Sequence, residues 1–308
     1  MNKYSLFSLY RRSNWFFNKH ILRRSMIKKQ LLDVEMYLDL ITPGISKTLA
    51  LYNSREDDMV QVLKEQLRPG MTIIDCGSNI GFYPLLESKI LKNKGKVYAI
   101  EPDVRNFKIL EKNARLNGEK SIIKTFNIAV SNQTGMQKMF VAEQSNLNKL
   151  LSTSSDNFPK RHNVNEIVDV EATTMDDFCL KNNLSVDFVR MDIEGFEVEV
   201  FQGMKNMFLN AKRGFMVFLE LHPNAYTSSR SFASELEFLM SHGFYAKVLI
   251  SAGEAVPPKM KELGYKPKMV IPSDGFLRGY YDDIKNQDLI ALTCSQPKAS
   301  RYVLLEKK

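Results

Sequence analysis

An α/β fold built on a mostly parallel sheet is what the sequence predicts, on three observations. Short apolar runs at 71–75, 96–100, 121–128, 186–191 and 215–219 alternate with stretches of helical period. A glycine-bearing turn, Asp75-Cys-Gly-Ser-Asn-Ile-Gly81, joins the first run to a helix. A second carboxylate, Glu101, closes the next run 26 residues after Asp75. Strand, turn and helix repeated in this order make βαβ units, which bind ligands at the carboxyl ends of their strands.

Each element follows from local pattern. Residues 1–33 read as a basic, helical arm, and 34–39 as a short strand entering a turn at Thr42-Pro-Gly44. From 57 to 67, Met59, Val60, Leu63 and Leu67 share one helical face, which Pro69-Gly70 terminates. Strand 71–75 leads to a helix over 82–93 with Leu85, Leu86 and Ile90 inward. Strand 96–100 ends at Glu101-Pro102, where the proline removes a ladder donor and suits a helix start. Asp103 caps the next helix, whose stripe is Val104, Phe107, Leu110 and Ala114 and whose stop is Gly118. After strand 121–128, added strands at 136–141 and 167–173 flank a Ser- and Asn-rich stretch, 143–165, that reads as a substrate lid. Thr174 caps a helix beginning at Met175, with Asp177 in the capping-box position. Strands four and five take 186–191 and 215–219, a helix takes 231–242, and strands six and seven take 244–250 and 302–305. Prolines at 257, 258, 267, 272 and 297 exclude one long helix from 251–300.

Composition narrows the class. The 308 residues are 44% hydrophobic and 25% charged, ordinary for a soluble chain with a sizeable core. Cys76, Cys179 and Cys294 are too few and too scattered for a disulfide framework or a zinc site, which fits a reducing, cytoplasmic setting. The net charge of +8 sits in residues 1–30, which hold Lys3, Arg11, Arg12, Lys19, Arg23, Arg24, Lys28 and Lys29 and no acid. The rest of the chain is neutral, so nucleic acid is not an expected partner. Tyr4, Phe7, Tyr10, Trp15, Phe16 and Phe17 interleave with these cations. That mixture suits peripheral contact with an anionic membrane, or else a helix packed on the domain with a charged face in water.

The turn at 75–81 carries chemistry. Gly77 and Gly81 are spaced Gly-x-x-x-Gly, which fails the dinucleotide fingerprint, and the Lys-Ser/Thr of a phosphate-binding loop is missing. A carboxylate ahead of the turn would repel pyrophosphate and suits a cationic or amine-bearing ligand such as S-adenosylmethionine. Glu101, at the end of the second strand, is placed to accept hydrogen bonds from ribose hydroxyls. The plain alternatives are a glycine-capped turn and a solvated glutamate.

These segments, taken with Asn127-Ile-Ala-Val-Ser131, Thr174-Met-Asp-Asp177, Met191-Asp-Ile-Glu-Gly195 and Leu219-Glu-Leu-His-Pro223, resemble the FkbM family of S-adenosylmethionine-dependent methyltransferases. The resemblance covers roughly residues 35–250, with a similar last strand at 301–306. Cys76-Gly-Ser78 departs conservatively from the family's usual Val-Gly-Ala. The resemblance implies a Rossmann-like class I methyltransferase fold, α/β, with a seven-stranded, mostly parallel sheet, helices on both faces and an antiparallel last strand. Charge, composition and proline content divide the chain into a basic arm and lead-in, 1–55, and a methyltransferase domain, 56–308, with lid insertions at 143–165 and 251–300. The resemblance also implies methyl transfer, most often to a hydroxyl oxygen, and places Asn127 near the adenine. The candidate cofactor-binding set is therefore Asp75, Gly77, Asn79, Gly81, Glu101 and Asn127.

The reaction end is read from two more pairs. Asp192 and Glu194 follow strand four, and Glu220 and His222 follow strand five, each pair at i, i+2 and so on one face if extended. If the strands are neighbours, as in a methyltransferase sheet, all four gather at one edge as an acid–base cluster. Direct proton removal from an acceptor hydroxyl is the favoured role, with Asp192 and His222 leading. Oxygen ligands for Mg²⁺ are the alternative, and loop-capping or pairing with Arg190 and Lys205 is the structural one. The expected acceptor is a hydroxyl on a sugar, glycan, lipid or secondary metabolite. Two rivals stay open: a protein or nucleic-acid methyltransferase, and a non-catalytic cofactor-binding module anchored to a membrane.

Overall fold

The computed structural model describes residues 3–42, 44–118, 122–142, 148–151 and 164–308. The chain opens with α1 (Lys3–Phe16), runs through a π-helical turn (Phe17–Ile21) and enters a hairpin of β1 (Met26–Leu31) and β2 (Val34–Asp39). The arm is thus helical only to residue 21. In β2 the buried Val34, Met36 and Leu38 alternate at the strand period, and this strand recruits 26–31, whose own sequence gives little strand signal. Next come α2 (Gly44–Tyr52), where a turn alone was expected, and α3 (Asp57–Gln66).

The central repeat follows as β3 (Thr72–Cys76), α4 (Phe82–Ile90), β4 (Lys96–Ile100), α5 (Val104–Leu116) and β5 (Ile123–Phe126). A four-stranded sheet, ordered β6–β9–β7–β8, is inserted from β6 (Ala129–Ser131), β7 (Gly135–Ala142), β8 (Lys149–Leu150) and β9 (Val164–Thr174). The expected lid at 143–165 falls mainly on residues outside the described ones. Then come α6 (Met175–Asn182), β10 (Phe188–Met191), α7 (Glu197–Gln202), α8 (Lys205–Leu209), β11 (Met216–Glu220), α9 (Phe232–Ser241) and β12 (Phe244–Ser251). The remainder is α10 (Pro258–Glu262), β13 (Met269–Ser273), β14 (Phe276–Tyr281), α11 (Asn286–Cys294) and β15 (Ser300–Lys307).

The main sheet runs β13–β14–β12–β15–β11–β10–β3–β4–β5. Strands β11, β10, β3, β4 and β5 are mutually parallel, and β15 is antiparallel to both of its neighbours. The sheet has nine strands rather than seven, because 251–300 folds a hairpin, β13–β14, onto the β12 edge. Consecutive residues of the central strands face opposite cores. Ile73, Val97, Phe188 and Phe218 pack with α3, α4 and α5 on one side, whereas Ile74, Tyr98, Val189 and Val217 pack with α6, α7 and α9 on the other. Burial on both faces is why these strands read as continuous apolar runs. The strand order reverses between β3 and β10, which opens a crevice at their carboxyl ends.

Candidate active site

An open cavity, about 850 Å³ with the solvent space at its mouth included, occupies that crevice. Its floor is the turn after β3. Gly77 has φ +79°, and a Cβ there would lie 2.0 Å from the Asp192 carbonyl oxygen. The bare backbone therefore fits the close approach of the β3 and β10 ends, and Gly77 also lines the cavity. The Gly77 and Ser78 amides both donate to the Ile100 carbonyl at 3.0 Å. Gly81, at φ +92°, sits where a Cβ would press on Leu110 Cδ1 at 2.8 Å, so its role is seating α5 against the turn.

Glu101 binds the turn to the second strand. One carboxylate oxygen accepts the Asn79 amide at 2.8 Å and the other accepts the Asp103 amide at 2.9 Å. Burial pushes its pKa up to about 8 against the pull of these two amides. The Asn106 side chain bonds it too, and the group lines the cavity. Asn79 also lines it. Asp75 does not: it is fully buried, with Arg190 Nη1 at 3.1 Å and Ser78 Oγ at 2.6 Å. The cation that the sequence assigned to a ligand is supplied by the protein. Asn127 stands apart from the cavity lining, donating to the Glu101 and Pro102 carbonyls at 2.9 Å as a turn clamp. Asp103 caps α5 as expected, accepting from the Arg105 and Asn106 amides.

Beyond the turn, the ends of β10 and β11 bring Asp192, Glu194, Glu220 and His222 to one edge, as the sequence anticipated. They do not play equal parts. Asp192 and Glu194 line the cavity, whereas Glu220 and His222 stand behind them. Asp192 pairs with Arg190 at 3.3 Å, and Arg190 is itself wedged over the Tyr83 ring. Glu194 adopts φ +53°, a left-handed conformation costly for a side chain of its size. Its Oε2 lies 3.6 Å from His222 Nε2. Burial, then the Asp192 charge, lifts the Glu194 pKa to about 8. Glu220 is held by Arg301 at 3.3 Å, and burial raises its pKa too.

His222 Nδ1 meets Glu197 Oε1 at 2.7 Å, and the same oxygen accepts the Gly195 amide at 3.0 Å. Burial alone would lower the histidine pKa, but the Glu197 hydrogen bond and the surrounding carboxylates carry it to about 9. The ring is then protonated at neutral pH, contrary to the neutral base the sequence suggested. Asp192, Glu194 and His222 do offer ligand atoms within 4.8 Å of one another. A cation held there would displace the His222 proton, so its binding would strengthen as pH rises.

Sequence reasoning missed Glu197, Glu56, Arg55 and Arg301. Glu56 is fully buried between Arg55 at 2.6 Å and Arg301 at 2.8 Å, and accepts the Tyr83 hydroxyl. Arg301 carries the network on to Glu220. Apart from the Arg55–Glu56 neighbours, these contacts join residues 25 to 245 positions apart, and no local spacing announces them. Glu197 gave one faint sign, an acid opening a helix.

The Methyltransferase FkbM domain model matches residues 75–266. No curated protein matches the chain. Among solved structures, the FkbM methyltransferase from Methylobacillus flagellatus is 16% identical, over 58% of this chain and 40% of its own, with a TM-score of 0.41. This chain therefore spans less than half of that protein's length. An S-adenosylmethionine-dependent O-methyltransferase from Thermotoga maritima is 14% identical, over 89% and 73%, with a TM-score of 0.40. An rRNA methylase from Streptococcus thermophilus is 10% identical, over 82% and 97%, also with a TM-score of 0.40.

Proposed function

The chain belongs to the FkbM methyltransferase family, and from that premise we propose that it transfers a methyl group from S-adenosylmethionine to a hydroxyl oxygen of a glycan, lipid or secondary metabolite. The observation that carries this reading is the line Glu194–His222–Glu197, which points a carboxylate into the cavity across from Glu101.

The residues present suit the cofactor's chemistry. Glu101 offers acceptors for a ribose diol, and Ile100, Phe82 and Val130 give the cavity apolar walls for a base. Asp192 puts negative charge near the place for a sulfonium, and Glu194 adds to it as it ionises toward pH 8. When bound, S-adenosylmethionine supplies an electrophilic methyl group. The remaining work falls to the chain. Glu194, as carboxylate, takes the proton from the acceptor hydroxyl. His222, protonated and oriented by Glu197, stabilises that carboxylate from behind. Arg190 fixes Asp192 beside it, and the strained Glu194 backbone holds the base at the cavity wall.

A second groove supports a polyhydroxylated acceptor. Arg55 lines both this groove and the cavity, and the groove adds Ser54, Asp57 and Asp274 with the exposed faces of Tyr52 and Phe276. Hydrogen-bonding groups beside open aromatic faces suit a glycosyl unit. The test is label transfer from radioactive S-adenosylmethionine to a panel of glycans, glycolipids, peptides and RNA. Label in a hydroxylated acceptor that is lost in Glu194→Gln supports the proposal. Label only in RNA or peptide removes it.

A further inference from the structure

The arm is a built surface whose chemistry the methyl-transfer site does not use. Two concavities flank α1 and share Trp15, the buried anchor of the arm. Arg11, Arg24, Lys28 and Lys29 line one, and Arg12, Lys19, His20 and Lys47 line the other. No carboxylate among the described residues lines either. Among the described residues, the one carboxylate paired with any of these cations is Glu35, at 3.1 Å from Lys28. The excess is felt locally: burial and then the Arg11 charge lower the Lys29 pKa to about 8.

Positive charge alone would suit any polyanion. The apolar side chains of the same segment narrow the choice. Tyr10 is 67% exposed, Phe16 57%, Phe17 50% and Ile21 59%, and Leu22 is also exposed. Aliphatic groups such as Ile21 and Leu22 have nothing to gain from a phosphodiester backbone, but they gain from acyl chains just below a headgroup layer. No helix among the described residues is long and apolar enough to cross a membrane, so contact of this kind is interfacial. The seam also has a direction. Tyr52 lines the Lys47 concavity and the acceptor groove alike, and Arg55 continues that groove into the transfer cavity.

We propose that the seam between α1 and the body docks the protein on an anionic phospholipid surface, with headgroup phosphates in the two cationic concavities and Phe16, Phe17, Ile21 and Leu22 in the interfacial layer. The acceptor groove then opens beside the membrane.

The test is sedimentation of the full-length protein with phosphatidylcholine vesicles and with vesicles holding roughly one-third phosphatidylserine. We expect binding to the anionic vesicles alone, reversed by raising salt. Phe16→Ser with Phe17→Ser, and separately Arg12→Gln with Lys19→Gln, should each weaken it by roughly tenfold or more. Those side chains are outside the methyl-transfer cavity, so S-adenosylmethionine affinity by calorimetry should not move in either variant. Equal binding to neutral vesicles overturns the proposal, as does absence of binding at low salt. Capture of single-stranded RNA without vesicles overturns it as well. So does full displacement by inorganic phosphate at constant ionic strength, which would identify a soluble anion as the occupant. Failure to bind vesicles with cofactor binding intact sinks the docking and spares the methyl-transfer reading. Loss of cofactor binding does the reverse.

Discussion

Glu194 concentrates the chemistry of the site in one side chain. Burial and Asp192 hold its pKa near 8, so the fraction present as carboxylate grows as pH rises toward that value. Turnover should therefore climb about tenfold per pH unit below 8 and level off above it. Glu194→Gln should lower turnover by roughly 10²–10⁴-fold and flatten the pH profile. His222 acts through Glu194. Its positive charge favours the carboxylate, so His222→Gln should move the rising limb to higher pH while leaving a pH-dependent rate. A limb that stays in place would assign His222 a structural role only. Asp192, Glu194, Glu220 and His222 were legible because each pair sits two residues apart at a strand end. Which of them faces the cavity was not, because contacts with residues distant in sequence, such as Arg301 with Glu220, hold them in place.

The β3 turn shows how an element can be read correctly and explained only in part. The glycines announce a tight turn, and Gly77, which lines the cavity, is also needed for the close approach of the Asp192 carbonyl. Gly77→Ala should cost stability twice over, through its positive φ and through a clash no rotamer relieves. Gly70→Ala makes the comparison clean: Gly70 has φ +99° and open space around it, so only the backbone strain applies. We expect a loss of ~1 kcal/mol at Gly70 and of ~3 kcal/mol or more at Gly77, read from urea unfolding midpoints. Equal losses would mean that the turn relaxes away from β10. Elsewhere, strong local signals held to within a few residues, as at 57–66, 96–100 and 104–116. Strand β1 and helix α2 were invisible because pairing with β2 and packing beneath α1, rather than their own pattern, stabilise them.

At the scale of the whole molecule, the parallel half of the sheet was legible because each strand is apolar on both faces. The β13–β14 hairpin was not, since Pro272 interrupts β13 and β14 carries Arg278 and Gly279 within its run. The buried site leaves a mark on global stability. Glu101 and Glu194 rise from 4.5 to about 8, and His222 from 6.5 to about 9. All three bind protons more tightly when folded, so their contribution is present below the ordinary values and is lost as pH rises through 8 and 9. Glu56 runs the other way, lowered to about 2, but its contribution is constant above 4.5. The urea midpoint should therefore be lower at pH 9 than at pH 6, and a higher one would contradict the buried-cluster electrostatics.

A calorimetric titration with S-adenosylmethionine, wild type against Glu101→Ala, tests the assignment of the cavity most directly, because it needs no knowledge of the acceptor. Glu101 lines the cavity, so saturable binding by the wild type and a loss of about 1–3 kcal/mol in a folded variant are the predicted result. Undiminished affinity in the variant, or no binding by the wild type, would contradict it.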